Sequence, residues 1–259
     1  MKQAAQSVRG RDLKAIILSA GRGSRLLPMT ESKPKCLLEF EGKSVLRHQL
    51  TRLDEVGVDS ATVITGFMPQ MVEADVSQWT GRMAVSTLFN PFFQVADNLA
   101  SCWMAREEMA GGFLLLNGDT LFNAALIRRV VETDAWPVQV TVDRKASYDD
   151  DDMKVSLDGD RLLAIGKRLR AEDTHAESIG LLKFSAEGAV LFREKVEQMM
   201  RTQDGISAWF LKAIDALAKS GDSVGTCSIE GQLWCELDTV EDWEHLQAIG
   251  PELSFAPAN

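Results

Sequence analysis

The feature that most constrains this chain is the segment 14–38, which reads KAIILSAGRGSRLLPMTESKPKCLL. Its apolar run from Ala15 to Leu18 is typical of a strand buried in a parallel sheet. The run ends in the small residues Ser19, Ala20, Gly21 and Gly23. Glycine allows backbone N–H groups to turn toward an anion, and such turns carry partial positive charge. The segment therefore predicts a phosphate-binding loop, which also contains the cations Arg22, Arg25 and Lys35.

Composition limits what this loop can serve. The chain has 259 residues, of which 45% are hydrophobic, so it is long enough to bury a substantial core. Its formal net charge of -10 argues against binding nucleic acid, which needs a basic face. No apolar run approaches the ~20 residues of a membrane span, so no membrane insertion is expected. The cysteines form no CxxC pair and are predicted to be reduced thiols of a cytoplasmic protein: Cys36, Cys102, Cys227 and Cys235.

Strand-like and helix-like segments alternate through the first half of the chain. In order, they are 44–56 (helix), 60–65 (strand), 69–79 (helix), 83–89 (strand), 98–109 (helix) and 112–116 (strand). This order predicts an α/β fold of the Rossmann-like kind, in which three α/β/α layers enclose a mostly parallel, mixed central sheet. Ligands of such sheets bind at the carboxyl ends of the strands, so the loop after Leu18 and the turn after Leu116 are expected to open on the same edge.

The chain is expected to form one domain over residues 14–250. Residues 14–143, which contain the phosphate-binding loop, would form one half of it and residues 144–250 the other. Residues 1–13 and 251–259 are predicted to be flexible tails. Both a monomer and a homodimer are compatible with this organisation.

The turn after the last of these strands reads Asn117-Gly118-Asp119-Thr120. A carboxylate held by a glycine turn at the mouth of the sheet is well placed for Mg²⁺, which prefers one or two carboxylates together with phosphate oxygens and water. The alternative is that Asp119 caps a helix that begins near Asn123. The sequence favours the magnesium site.

Residues 18–46 and the later NGDT resemble the nucleotidyltransferases that join a nucleoside triphosphate to a phospho-sugar or phospho-alcohol. The signature of that family is G-x-G-x-R-L-x-P-x-T-x-x-x-P-K-x-L, and its glycines, arginine, prolines and lysine stand at the expected spacing here. A dinucleotide-binding loop is disfavoured, because Ser24 and Arg25 occupy the place of its third glycine, and the chain has no Walker pattern.

The resemblance implies how such a site works. In these enzymes a phosphate or phosphonate oxygen attacks the α-phosphorus of the nucleotide and expels pyrophosphate, so the protein mainly positions two anions and neutralises developing charge. Arg25 would act on the β and γ phosphates, and Lys35 on the α-phosphate and the incoming phosphate. The implied nucleotide contacts are Leu18, Ser19, Ala20, Gly21, Gly23, Asn90, Asn98, Ser101 and Gly118.

Within the family, the chain most resembles the cytidylyltransferases that activate phosphocholine, related phospho-alcohols or phosphonates. The segments that carry this likeness are Asn90-Pro91 with 97–101, Asp152-Met153-Lys154-Val155, and 234–239 with Asp242. Lys154 is expected to face the acceptor phosphate, with Lys167 as a second candidate, and Trp234 to contact the substrate. The implied reaction is the Mg²⁺-dependent transfer of CMP from CTP to a small, phosphocholine-like acceptor.

Glu236 and Asp238 are predicted to join Asp119 in the magnesium site. Residues two apart in a strand face the same way, so both carboxylates can point into one cleft. The alternative for Glu236 is a surface or capping role at a helix that begins near Thr239. Thr239 and Asp242 have the spacing of a capping box, so Asp242 is expected to be structural.

The acidic run 149–152 is predicted to be a solvated loop. The sharper alternative is that one of its carboxylates, with Tyr148, meets a cationic substrate head, since quaternary ammonium groups favour aromatic faces. Trp136, Trp209 and Trp234 are further aromatic residues that could line such a cage.

Two other functions stay open. One is a UTP- or dTTP-using sugar-1-phosphate nucleotidyltransferase, because the residues that read the base are not identified. The other is a non-catalytic, nucleotide-binding regulatory domain. The intact set of Arg25, Lys35, Asp119 and Asp238 favours an enzyme, since a regulatory domain need not keep both the cations and the carboxylates.

Overall fold

The structure is a computed structural model that describes residues 13–255. Within that range the chain forms thirteen strands and seven α-helices. The strands are β1 Lys14–Ser19, β2 Glu39–Phe40, β3 Lys43–Ser44, β4 Ser60–Thr65, β5 Ala84–Phe89, β6 Phe113–Asn117, β7 Thr120–Phe122, β8 Val138–Asp143, β9 Lys154–Asp158, β10 Arg161–Ile165, β11 Ala176–Phe184, β12 Val224–Ser228 and β13 Trp234–Glu236. The helices are α1 Val45–Glu55, α2 Pro69–Ser77, α3 Asn98–Met104, α4 Ala124–Glu132, α5 Ala186–Met200, α6 Phe210–Lys219 and α7 Val240–Phe255. None of the helices in this range is long and apolar enough to cross a membrane.

Nine strands form one mixed sheet in the order β5-β4-β1-β6-β11-β8-β12-β10-β9. β5, β4, β1 and β6 are parallel neighbours, and β8 and β12 form a further parallel pair. β11 runs antiparallel to both β6 and β8 and also pairs with β9. The predicted α/β fold with a mixed central sheet is confirmed, and strands from both predicted halves of the chain share that sheet.

The central strands are buried on both faces, which explains their continuous apolar runs. Ile16 and Leu115 belong to the apolar cluster that includes residues of α3, α5 and α6. Ile17 and Leu116 belong to the opposite cluster, which includes residues of α1, α2 and α4. Adjacent residues of β1 and β6 therefore contact different helix layers, and the three layers are those predicted.

The predicted tails differ from the structure at their inner ends. α7 continues to Phe255, and Leu253 is buried in a third apolar cluster that also contains Leu26 and Leu237, so part of the predicted tail 251–259 is helical. Leu13 is also buried, and its N–H donates to Asp59 Oδ2 at 3.0 Å. Residues 1–12 and 256–259 of the predicted tails lie outside the described residues.

Two strand pairings bring distant segments to one edge of the sheet. Leu18 of β1 is in parallel register with Asn117 of β6, so the loop and the turn that follow them open side by side, as expected. β13 pairs antiparallel with β7, with Glu236 opposite Thr120. This second pairing brings the carboxylates near the C-terminus to the end of β6.

Candidate active site

A cleft of about 750 Å³ lies at the carboxyl ends of β1, β5 and β6. Every residue predicted to contact the nucleotide lines it: Leu18, Ser19, Ala20, Gly21, Gly23, Asn90, Asn98, Ser101 and Gly118. The predicted catalytic residues and metal ligands line it as well: Arg25, Lys35, Asp119, Glu236 and Asp238. The fold thus collects side chains as far apart in sequence as Lys35 and Asp238, which are 203 residues apart.

Gly23 shapes the loop after β1. Its φ of 71° lies in the left-handed region, and a Cβ at this position would lie 2.9 Å from Cβ of Lys35. Glycine therefore lets the loop run directly against Lys35. The hydroxyl of the buried Thr30 also donates to the carbonyl oxygen of Gly23 at 2.7 Å. These contacts fix the loop beside the lysine.

Gly118 allows the ends of β1 and β6 to approach each other. Its N–H donates to the carbonyl oxygen of Leu18 at 2.9 Å. A Cβ on Gly118 would lie 2.2 Å from Ser19 Oγ, which no side chain can tolerate without a shift. The glycine therefore sets the spacing of the two strand ends immediately before Asp119.

Lys35 lies between two carboxylates. Its Nζ is 2.5 Å from Asp119 Oδ2 and 2.6 Å from Asp238 Oδ1. Burial alone would lower the pKa of Lys35, but the charges and hydrogen bonds of Asp119 and Asp238 outweigh it and raise the pKa above the usual 10.5. Lys35 therefore carries a permanent positive charge near neutral pH, which suits the neutralisation of phosphate charge and not proton transfer.

Three carboxyl groups, those of Asp119, Glu236 and Asp238, lie close together around Lys35 at the base of the cleft. Burial, together with the charges of Asp119 and Asp238, raises the pKa of Glu236 to about 8, although Lys35 and a hydrogen bond from Asn117 oppose the shift. Asp119 Oδ1 is buried and has no hydrogen-bond partner among the described residues. A buried carboxylate oxygen without a partner is uncommon in proteins. This group of carboxylates therefore has the capacity to accept a further cation.

These carboxylates fit Mg²⁺. Within residues 13–255 no group of three or more His, Cys, Asp or Glu side chains stands in metal-binding geometry, and the ammonium of Lys35 occupies the space between Asp119 and Asp238. Mg²⁺ needs only one or two protein carboxylates when phosphate oxygens and water complete its shell. The unpartnered oxygen of Asp119 and the acidic surroundings satisfy that requirement.

A capping box holds Asp238 in place. Asp242 Oδ2 accepts from the N–H of Asp238 at 2.9 Å and from the N–H of Thr239 at 2.7 Å. In return, the N–H of Asp242 donates to Thr239 Oγ1 at 3.2 Å. The structural role expected for Asp242 is therefore observed, at the start of α7.

Asp119 is held through its backbone, whose carbonyl oxygen accepts from the N–H of Leu237 at 3.0 Å. The alternative that Asp119 caps the next helix is wrong. Asn123 caps α4, since its side chain accepts from the N–H of Leu126 at 2.8 Å, and β7 lies between it and Asp119.

Asn90, Asn98 and Ser101 line the cleft while holding its walls together. Asn90 Nδ2 donates to Ser101 Oγ at 3.0 Å, which joins the end of β5 to α3. Asn98 Oδ1 accepts from the N–H of Phe210 at 2.8 Å, which joins α3 to the start of α6. These side chains therefore position the walls as well as facing the cleft.

Asp151 bridges two cations at the edge of the cleft. Its Oδ2 is 3.0 Å from Arg25 Nη1, and its Oδ1 is 3.0 Å from Lys167 Nζ. The other terminal nitrogen of Arg25 is 3.0 Å from Asp238 Oδ2. The hydrogen bond and charge of Lys167, followed by the charge of Arg25, lower the pKa of Asp151. Asp151 is 71% exposed, as expected of a solvated loop, yet it occupies the space between two cations that were predicted to bind phosphates.

We expect Asp151→Asn to lower the KM for nucleoside triphosphate and for acceptor. Substrate anions must displace this carboxylate from Arg25 and Lys167, and exposed ion pairs contribute about 0.2 to 1 kcal/mol, so the decrease should be at most about fivefold. Steady-state kinetics would measure it, with Asp158→Asn as a matched loss of one exposed carboxylate outside the cleft. An unchanged or higher KM for both substrates would contradict the competition.

A second, larger cavity of about 1450 Å³ adjoins the cleft. Met153, Lys167, Trp209 and Leu211 line both. Two further residues predicted to bind substrate, Tyr148 and Lys154, line only the second cavity. Trp234 lines neither, because its indole N–H donates to Asp143 Oδ2 at 2.7 Å and its ring packs against the cluster containing α1 and α4. The structure therefore does not bring Trp234 to the substrate side chains.

Two stretches that wall the cleft are missing from the sequence predictions, 93–96 and, around the predicted Trp209, residues 206–207 and 210–211. The first follows the carboxyl end of β5, so the rule that ligands bind at this edge of the sheet could have identified it. The second is placed by contacts with α3, including the bond between Asn98 and Phe210, and no local pattern reveals it.

The glycine-containing loop lies against Lys35, and Lys35 lies beside acidic side chains at the carboxyl edge of a mixed sheet. This arrangement suits an enzyme that transfers phosphate-linked groups. The family model of the MobA-like NTP transferase domain matches residues 15–174. The chain therefore belongs to the MobA-like NTP transferase domain family. It is a nucleotidyltransferase, and the predicted resemblance is confirmed.

Named relatives agree with this assignment. The chain is 23% identical over 250 residues to the CTP:phosphoglutamine cytidylyltransferase of Campylobacter jejuni, covering 90% of this chain and 98% of that protein. It is 31% identical to the choline-phosphate cytidylyltransferase of Streptococcus pneumoniae over 110 residues, which are 42% of this chain and 46% of that protein. The solved structure of the S. pneumoniae CTP:phosphocholine cytidylyltransferase superposes with a TM-score of 0.79 at 22% identity, covering 92% of this chain and 99% of that one.

Proposed function

We propose that the protein is a Mg²⁺-dependent cytidylyltransferase that transfers CMP from CTP to a small phosphorylated alcohol or phosphonate and releases pyrophosphate. The observation that carries this proposal is the meeting of Arg25 and Lys35 with Asp119 and Asp238 in one cleft. Two substrate anions that repel each other need cations between them, and the departing pyrophosphate needs charge neutralisation.

The loop after β1 and its two cations would bind the triphosphate. Lys35, the more buried of the two, is assigned to the α-phosphate and the incoming oxygen, where negative charge develops. Arg25 has a side chain that is 50% exposed and is assigned to the β and γ phosphates. On substrate binding, Lys35 would exchange one carboxylate contact for a phosphate oxygen and would keep its positive charge.

Lys167 is assigned to the acceptor phosphate. Its side chain lines both the cleft and the second cavity, so it lies where an acceptor in the second cavity would meet the nucleotide. The ammonium of Lys154 instead donates to the backbone carbonyl oxygens of Asp149 and Lys167, which favours a positioning role for Lys154.

Asp119 and Asp238 would hold Mg²⁺, with Glu236 as a third carboxylate. When bound, the ion neutralises phosphate charge and polarises phosphoryl oxygens. The protein's own contribution is to hold Asp119 and Asp238 beside the ammonium of Lys35, in a site fixed by the pairing of β7 with β13.

The choice of CTP rests on the relatives. The C. jejuni relative, which matches over most of both chains, uses CTP, and so does the inositol-1-phosphate CTP transferase of T. maritima, whose solved structure superposes with a TM-score of 0.78 at 17% identity over 96% of this chain and 99% of that one. The second candidate is a sugar-1-phosphate nucleotidyltransferase that uses UTP or dTTP. A UTP--glucose-1-phosphate uridylyltransferase of Haloferax volcanii is 29% identical over 115 residues, which are 44% of this chain and 46% of that protein.

The proposed location of the protein is the cytoplasm. The four cysteines are buried and free, which supports this proposal.

Pyrophosphate release tests the proposal. The purified protein would be assayed with CTP, UTP, dTTP and GTP against phosphocholine, phosphoethanolamine, 2-aminoethylphosphonate, inositol phosphate and hexose-1-phosphates, with and without Mg²⁺. We expect turnover that requires CTP, Mg²⁺ and a small phospho-alcohol or phosphonate. Turnover only with UTP or dTTP and a hexose phosphate would support the second candidate. Tight nucleotide binding without turnover for any pair would support a regulatory domain.

A further inference from the structure

The second cavity has an electrostatic character opposite to that of the whole chain. Its lining contains six lysine or arginine residues and two aspartates, whereas the chain carries a net charge of -10. The cations are Arg144, Lys145, Lys154, Lys167, Arg168 and Lys212. One of the two aspartates, Asp215, is neutralised by Lys219 at 2.7 Å. The lining of the cavity therefore has a positive net charge, although the chain as a whole is acidic.

Much of this positive charge is not balanced by the protein. Lys145 is paired with Asp152 at 2.8 Å and with Glu177 at 3.0 Å. No ion pair to Arg144, Arg168 or Lys212 occurs within the part of the chain that the structure describes.

Lys154 adds a buried charge to the same cavity. Lys154 is only 7% exposed, and its ammonium donates to two backbone carbonyl oxygens and, among residues 13–255, to no carboxylate. A buried cation without a counter-ion is unfavourable unless an anion compensates it. A ligand that brings negative charge would supply that compensation.

The aromatic residues of the cavity already face lysines. The ring of Trp209 has Lys167 Nζ at 5.2 Å and Lys212 Nζ at 5.8 Å from its centroid. The ring of Tyr148 has Lys145 Nζ at 5.9 Å. Trp136 and Trp234 line neither cavity. The aromatic cage predicted for a cationic head is therefore not assembled, and a quaternary ammonium would approach like charges at both rings.

From this lining we infer that the acceptor carries a carboxylate in addition to its phosphate or phosphonate, and that Arg168 and Lys212 bind this carboxylate while Lys167 binds the phosphate. This inference rests on the proposed function, which makes the second cavity the acceptor site. It excludes phosphocholine as the preferred acceptor, because a trimethylammonium group adds positive charge where the protein has already concentrated it.

A pair of acceptors that differ only in the carboxylate tests the inference. O-phosphoserine is O-phosphoethanolamine with one carboxylate added, and 2-amino-3-phosphonopropionate stands in the same relation to 2-aminoethylphosphonate. Equilibrium binding of each compound to the full chain would be measured by calorimetry, and turnover with CTP and Mg²⁺ by pyrophosphate release. We expect the carboxylated member of each pair to bind about 100-fold more tightly, because two cations contact the carboxylate and each such contact should contribute about 10-fold.

Charge-removing variants then locate the contact. Lys212→Gln and Arg168→Gln should each reduce the preference for O-phosphoserine by about 10-fold, and should weaken the binding of O-phosphoethanolamine much less, because that compound lacks the carboxylate. Arg128→Gln, which removes an exposed cation of α4 outside both cavities, is the matched control and should change neither.

Several results would overturn the inference. They are equal or tighter binding of phosphoethanolamine or phosphocholine, a preference that survives in both variants, and no measurable binding of any carboxylated compound. Failure of the proposed function gives a different pattern. In that case CTP would not be turned over with any acceptor, or another nucleotide would replace it, while the binding comparison between the paired compounds would still report on the charge of the cavity.

Discussion

Replacement of Lys35 by alanine is expected to abolish nucleotidyl transfer and to destabilise the protein. Loss of one preorganised group that stabilises transition-state charge typically costs 10² to 10³ in kcat, and Lys35 is the buried cation of the cleft, so kcat/KM should fall by about 10³-fold. The same change leaves Asp119, Glu236 and Asp238 together without their cation. Breaking a buried ion pair from one side costs on the order of 3 kcal/mol, so the free energy of unfolding should fall by about that amount.

Two comparisons separate the roles of charge and geometry at this position. Lys35→Arg keeps the positive charge, so it should recover most of the stability but little of the activity, because the guanidinium cannot lie between the two carboxylates in the same way.

Lys33→Ala is the matched control. Lys33 pairs with the exposed Glu39 at 2.8 Å outside the cleft, so its loss should affect neither property appreciably. Denaturant unfolding and pyrophosphate release measure the two effects. More than a tenth of wild-type kcat/KM in Lys35→Ala would contradict the role assigned to Lys35.

Much of the cleft could be predicted because its parts are local. The glycine-rich loop after β1 and the Asn117-Gly118-Asp119 turn each follow an apolar strand directly, and parallel strands bring such turns to one edge. The capping box at Asp242 is equally local, since the residues that exchange hydrogen bonds are three and four positions apart.

The remaining parts depend on contacts between distant segments. The insertion of β11 between β6 and β8 is antiparallel, and the alternation of strands and helices in the first half does not indicate it. The role of Asp151 is likewise invisible in the run 149–152, where four successive aspartates are chemically identical. Only the folded loop directs one of them to Arg25 and Lys167.

The aromatic cage, the alternative considered for Tyr148 and the tryptophans, depends on contacts that residue type does not reveal. Tyr148 and Trp209 do line the predicted acceptor side, but the fold places lysines over both rings, and Trp234 is held by Asp143 on another face. An aromatic ring in a cavity therefore indicates a site for a cation only when no cation of the protein already occupies its face.

Replacement of Asp119 by alanine should abolish activity while leaving the fold intact, which is the opposite stability outcome to Lys35→Ala. Asp119 is one of three neighbouring carboxylates around Lys35, and one of its oxygens has no partner among residues 13–255. Its removal relieves repulsion on Glu236, and Lys35 keeps Asp238 at 2.6 Å, so the free energy of unfolding should change by no more than about 1 kcal/mol. Activity should nevertheless fall on the order of 10³-fold, because a metal-bound phosphate loses several kcal/mol of charge stabilisation.

Ligand-dependent stability distinguishes a metal ligand from a merely acidic neighbour. Any ligand that binds only the native state raises the melting temperature in proportion to its binding free energy. Mg²⁺ together with CTP should therefore raise the Tm of the wild-type protein, and the part of the shift that requires Mg²⁺ should disappear in Asp119→Ala. Asp158→Ala, which removes an exposed carboxylate of β9, should retain it. A full Mg²⁺-dependent shift in Asp119→Ala would show that the carboxylate acts on Lys35 alone, since a residue that only orients the lysine can be removed without weakening the binding of the metal.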